Sequence, residues 1–286
     1  MTVKAIQQIM LGTVCKSEQQ TLETLRRIKA AGYDGIELNQ FMIQKTPVIV
    51  RALTKAAGMP VGKGGSFDWP ALTREAGLSV VSLHVDLDGF EKDPDKAYAM
   101  ARELGTDKLV LTGMYRFDYG SVDALRGLAS RLNVAAAGAA NAGFAFLYHN
   151  HNVEFTRVND GDGELTAYEF LLRETDEDVL KIEFDSYWPA EAGVDVLSVM
   201  DRLGSRMKLY HINDRGSRLK KAPMTPILKS DSMELGQGNM PLDGLVNKAL
   251  ANGVDSIILE SHRNWIDGDP LKSMELSARF LNEHVG

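Results

Sequence analysis

Short apolar runs alternate with longer segments of helical period from one end of the chain to the other. The runs at Ile6–Met10, Gly35–Leu38, Ser79–His84, Lys108–Thr112, Phe144–His149, Val179–Phe184, Met207–His211 and Ser256–Glu260 have strand length and predict eight strands. Ser17 to Ala31 typifies the segments between them: Leu22, Leu25 and Ile28 recur every third residue, Lys and Arg lie between them, and Gly32 supplies a stop. Leu125 to Ala142 is an alanine-rich version whose small side chains permit close packing, and Asn141-Ala142-Gly143 reads as its terminus. Buried parallel strands joined by covering helices follow. The expected fold is α/β, a closed (β/α)8 TIM barrel, because closure pairs both edges that an open sheet would leave exposed. No Pro/Gly/Ser-rich linker interrupts the pattern, so residues 1–286 are expected to form one domain.

Several apolar runs end in ligand-type side chains. Phe146-Leu147-Tyr148 breaks into His149-Asn150-His151 with Glu154 three residues on, Ile182-Glu183-Phe184 ends in Asp185, Leu209-Tyr210 in His211, and Ile257-Ile258-Leu259 in Glu260. In a barrel the carboxyl ends of all strands open on one face, so these residues would surround one pocket with Glu37 and His84 from strands two and three. Imidazole and carboxylate donors without a thiolate set suit Mn²⁺, Co²⁺, Zn²⁺ or Fe²⁺. Asp185, His211 and Glu260 are the expected metal ligands, and the fourth place falls to His149 ahead of His151. Strand alternation puts both histidines on one face, which leaves His151 to orient His149, hold a substrate oxygen or act as an acid/base near its ordinary pKa. Glu260 could reach substrate while binding metal, and His84 and Glu37 are further candidates for catalysis and substrate binding. Tyr187 and Trp188 offer an apolar wall for a sugar ring, while Arg215 and Arg218 are candidates to bind a phosphate or carboxylate.

Composition narrows the partners. The 286 residues are 44% hydrophobic, enough for a large core, and a net charge of -7 from 32 basic and 39 acidic residues gives no polycationic surface for nucleic acid. A small molecule is the expected partner. Cys15 is the only cysteine, which excludes a disulfide framework and a thiolate zinc motif. No basic-then-apolar leader or bilayer-length apolar run stands out, so a soluble, cytoplasmic protein without a membrane partner is expected. Gly62-Lys63-Gly64-Gly65-Ser66 lacks the order of a phosphate-binding loop, and Asp160-Gly161-Asp162-Gly163-Glu164 reads as a polar turn rather than a calcium loop. Asn213 to Met240 is longer than an ordinary connection, a candidate lid or a surface for a neighbouring subunit or small accessory chain.

The motifs in this order resemble the xylose-isomerase-like barrels, the sugar phosphate isomerase/epimerase superfamily. Ala31-Gly32-Tyr33-Asp34-Gly35-Ile36-Glu37-Leu38 resembles its second-strand entry, and Phe67-Asp68-Trp69-Pro70-Ala71-Leu72 with Glu75-Ala76-Gly77-Leu78 resembles the lead into its third strand. Tyr148-His149-Asn150-His151 with Glu154-Phe155, Asp185-Ser186-Tyr187-Trp188 with Ala192-Gly193, and His211-Ile212-Asn213-Asp214 resemble its YHNH-containing branch. The resemblance implies a divalent ion, Mn²⁺ foremost, at His149, Asp185, His211 and Glu260, and isomerisation or epimerisation of a sugar or keto-sugar through an enediolate. It also implies a close alternative, a lyase acting on 3-keto sugars or glycosides by β-elimination, including C-glycoside deglycosylation with a smaller partner. A noncatalytic sugar-binding protein is the third reading. Better-known epimerases of the group pair a fifth-strand glutamate with the eighth-strand one; here His149 stands at that place, which passes proton transfer to His151 or Glu154.

Overall fold

The computed structural model describes residues 1–44, 67–219 and 221–286, so the glycine-rich 62–66 stretch and Lys220 lie outside the described residues. Eight parallel strands close into a barrel: β1 (Val3–Gln7), β2 (Gly35–Asn39), β3 (Ser79–Val85), β4 (Lys108–Leu111), β5 (Ala145–His149), β8 (Leu180–Asp185), β9 (Met207–Ile212) and β12 (Ser256–Leu259). Closure is direct, with β1 paired to β2 on one side and to β12 on the other. Two antiparallel hairpins sit outside it, β6 (Arg157–Asn159) with β7 (Glu164–Thr166), and β10 (Asp214–Gly216) with β11 (Asp231–Met233).

Alternation along the strands separates two cores. Ala5, Val81, Val110, Leu147, Leu209 and Ile258 form a small apolar plug inside the barrel, while Ile6, Leu109, Phe146, Phe184, Tyr210 and Ile257 join the larger core shared with the helices. The helix read at Ser17 to Ala31 spans Glu18–Ala31, with the Ser17 hydroxyl accepting the Gln20 N–H and Gly32 closing it at φ 109, a left-handed conformation that favours glycine. The alanine-rich helix spans Val122–Asn141 and buries Leu125, Leu128, Leu132 and Ala136. The Asp160-to-Glu164 turn is the tip of the β6–β7 hairpin, where the Asp160 carboxylate accepts the Asp162 and Gly163 N–H groups.

The first strand differs from expectation. It starts at Val3 rather than Ile6, because Val3 to Ile6 pair with Ser256 to Leu259 and the chain then turns. The Gln7 side chain accepts the Ile9 N–H at 2.6 Å and starts a short 3-10 turn over Gln8–Leu11, so Ile9, Met10 and Leu11 are buried without being strand. Two register shifts matter more for the site. They fall between Ile36 and Glu37 on the β2–β3 pair and between Ile182 and Glu183 on the β8–β9 pair, and after them Asn39 lies beside His84 and Asp185 beside His211.

Candidate metal centre and substrate cavity

Above the apolar plug the barrel interior turns polar. Glu37, His84, His149, Glu183, Asp185, His211 and Glu260 come from six different strands or strand ends, and all are buried. Donor atoms of His149, Asp185, His211 and Glu260 lie within 4.8 Å of one another, and so do those of Glu37, His84, Glu183 and His211. The two groups are stacked and share His211. Its Nδ1 is 2.9 Å from Glu260 Oε2, and its Nε2 is 2.6 Å from Glu37 Oε2. Either group can hold a divalent cation, since each combines imidazole and carboxylate donors in a water-poor setting.

The surroundings fix these side chains. The Asn150 amide bridges to the Asp185 backbone in both directions at 3.0 Å, and the Asp185 carboxylate accepts the Tyr187 N–H at 2.7 Å. The Ser82 hydroxyl donates to Glu37 Oε1. Burial, then the neighbouring Glu260 charge, pushes the Asp185 carboxyl up to about 7. Burial works against Glu260 as well, but His262 and His211 outweigh it and hold that carboxyl well below the usual range. Two acids side by side thus have opposite proton preferences.

A cavity of about 330 Å³ opens above the upper group. Its floor is His84, His149 and Glu260; Gln7 and Asn39 offer neutral hydrogen-bonding groups, and Ile9, Phe41, Met114 and Tyr115 are among its apolar walls. His151 and His262 both line it. Trp188 neighbours both without lining the cavity itself, with ring centres 5.6 Å from His151 and 6.0 Å from His262. Burial and then His149 pull the His151 imidazole down to about 3, so the near-neutral titration expected from its residue type is not what this pocket gives. Glu154 is fully buried behind it: one oxygen accepts from the Tyr148 hydroxyl at 2.9 Å and the other from the His151 N–H at 3.0 Å.

Residues 25–284, a span that takes in β2 through β12, match the model of one family. The chain belongs to the xylose isomerase-like TIM barrel family. Solved structures agree on this fold. A sugar phosphate isomerase/epimerase from Parabacteroides distasonis ATCC 8503 is 22% identical with a TM-score of 0.74, covering 97% of this chain and 92% of that one. An L-ribulose 3-epimerase is 16% identical with a TM-score of 0.67, over 100% and 95% of the two chains. A probable 3-DHS dehydratase from Bacillus anthracis is 15% identical with a TM-score of 0.66, over 99% of each. No curated protein matches the sequence.

Within this xylose isomerase-like barrel, the structure brings His149, Asp185, His211, Glu260, His84, His151 and Glu154 to one place. Glu37 is fully buried beneath His211 and does not line the cavity, since the strand-two residue that reaches it is Asn39. Arg215 lies on β10 outside that cavity, and Arg218 is paired with Glu234 at 2.5 Å. Glu183 has no separate signal in the sequence, although it stands two residues before Asp185 and so shares its strand face. His262 Nε2 sits 3.1 Å from Glu260 Oε1. Gln7 and Asn39 carried no signal beyond their positions at strand ends. Among the described residues no helix is long and apolar enough to cross a membrane.

Proposed function

We propose that this barrel is a divalent-metal-dependent isomerase or epimerase of a sugar or keto-sugar. The observation that carries the reading is the convergence of His149, Asp185, His211 and Glu260 beside a cavity of about 330 Å³. An ion held there, Mn²⁺ or else Co²⁺, Zn²⁺ or Fe²⁺, would supply Lewis acidity toward a substrate carbonyl and so acidify the adjacent C–H. His151, which burial keeps neutral, faces the cavity and takes that proton; its return to the neighbouring carbon completes an isomerisation, and protonation of the same carbon from the opposite face completes an epimerisation. Glu154 holds the His151 backbone in place, and Tyr148 holds Glu154. Gln7 and Asn39 receive sugar hydroxyls, and Trp188 backs the two imidazoles that would flank the ring. The epimerase and isomerase named among its structural neighbours support this class.

A second reading, a lyase acting on 3-keto sugars or glycosides, is favoured by one feature. The fifth strand ends in His149 rather than a carboxylate, so no glutamate stands there to partner Glu260, whereas His151 and His262 both reach the cavity. In that chemistry His151 takes the α-proton, the C–H electron pair becomes the new C=C bond, and the β-oxygen leaves with a proton from His262. The probable dehydratase among the neighbours fits this reading.

Incubation of the Mn²⁺-loaded protein with ketoses and 3-keto-glycosides in D₂O tests both. Deuterium should enter beside a carbonyl, with substrate mass otherwise conserved for an isomerase or epimerase and two products for a lyase. Asp185→Asn should abolish the exchange. Failure of every keto-sugar to exchange would leave the sugar-binding alternative and overturn the proposal.

A further inference from the structure

We propose that the chain holds a second divalent cation one layer below the first, among Glu37, His84, Glu183 and His211. Apart from His211, which both groups share, the proposal concerns different residues from those assigned above, and its failure is distinguishable from theirs. Glu183 Oε2 lies 2.9 Å from His84 Nε2, 3.0 Å from His149 Nδ1 and 3.3 Å from His211 Nε2. Glu37 Oε2 lies 3.1 Å from His84 Nε2 and 2.6 Å from His211 Nε2. The three imidazole centres form a triangle of 4.8, 5.6 and 5.9 Å. Two carboxylates and the His84 and His211 rings therefore crowd around one point, with the His149 ring at its edge.

What separates this cluster from an ordinary hydrogen-bonded network is alignment. Both oxygens of Glu183, both nitrogens of His84 and His149 Nδ1 are buried with no hydrogen-bond partner, despite the short separations. Such groups are costly when left unpaired, and native interiors rarely tolerate several together. Donors that surround a common ion behave differently. With ion-to-donor distances of about 2.0–2.1 Å, neighbouring donors sit about 3.0–3.4 Å apart and point at the ion rather than at one another. Most of the separations here fall in or near that range.

Charge leads to the same place. Glu37 and Glu183 are both fully buried, and two carboxylates in one enclosed layer call for two positive charges. A protonated His84 would bring one, but its N–H groups are aligned with neither carboxylate. A divalent ion brings two and takes up the unpaired His84 Nε2 and Glu183 Oε2, the atoms that face Glu37 and one another. A donor set rich in imidazole, with no thiolate, points to Zn²⁺, Co²⁺ or Fe²⁺ over Mg²⁺ or Ca²⁺. His211 faces the lower group through Nε2 and Glu260 through Nδ1, so it links the two layers and would be held from both sides.

The test is anomalous diffraction from crystals of the full chain loaded with Zn²⁺, with elemental analysis of the same preparation. The expected result is a peak between Glu37, His84 and Glu183 besides the one beside Asp185 and Glu260, and two ions per chain. A peak at the lower group alone would sustain this proposal while overturning the ligand assignment made for the upper group. A peak at the upper group alone, or none, would overturn this proposal. Glu183→Gln should lose the lower ion and keep the upper, and Asp185→Asn the reverse; the map of the unmodified protein decides the matter even if one variant fails to fold.

Discussion

At the scale of single residues, environment matters more than residue type. His151 and His262 are both imidazoles on one cavity, yet burial pulls the first down to about 3, whereas the Glu260 carboxylate, prevailing over burial, raises the second. His151→Asn should therefore lower the rate of keto-sugar deuterium exchange by roughly 10²–10⁴-fold, the usual worth of a positioned acid/base. Metal content and thermal midpoint should stay near those of the parent, and a parallel loss of bound metal would instead make His151 a ligand. The candidate ligands Asp185, His211 and Glu260 were readable because each ends an apolar run in the sequence. Glu183 was not, because it lies inside such a run, where a charged residue looks like part of a strand until the opposite wall is known.

Individual elements decide how the site is framed. The β4-to-helix loop runs over the cavity through Thr112, Gly113, Met114 and Tyr115, and Gly113 adopts φ 124, in the left-handed region. A Cβ there would lie 3.2 Å from His151 Cε1, so Gly113→Ala adds backbone strain and presses on the candidate base. Turnover should fall at least tenfold while circular dichroism remains that of the folded barrel, and an unchanged rate would show that this loop does not set the His151 position. The long segment after β9 is fastened at its base: the Asp214 carboxylate accepts N–H groups from Gly236, Gly238 and Met240 at 3.0, 2.8 and 3.1 Å. Its length was legible in the sequence, but the β10–β11 hairpin within it was not, since neither three-residue strand carries a periodic signal.

For the molecule as a whole, metal and fold are coupled. Buried carboxylates gathered from β2, β8 and the end of β12 repel one another across the barrel, and an ion bound only by the native state stabilises it by mass action. Free metal at a hundredfold excess over its dissociation constant contributes about 2.7 kcal/mol, which raises the melting temperature of a chain this size by roughly 4–5 °C. Exhaustive chelation should lower the melting temperature by that amount and readdition should restore it. An Asp185→Asn, Glu183→Gln double variant should respond to neither treatment. Equal melting curves with and without chelator in the parent protein would contradict a tightly held ion in either layer.

The sequence by itself determined the strand count, the parallel barrel and the face on which His149, Asp185, His211 and Glu260 collect, because strand length, alternation and helix stops are local properties of neighbouring residues. Those same local rules misplaced β1, whose start at Val3 is set by pairing with Ser256 across the closed barrel. Only the tertiary structure decided which polar residues stack in which layer. The register shifts beside Glu37 and Glu183 bring Asp185 level with His211 and Asn39 level with His84, and the burial created by closure sets the proton affinities of Asp185 and His151. Pairing register and desolvation belong to the assembled barrel, since both depend on residues far apart in the chain meeting across its interior.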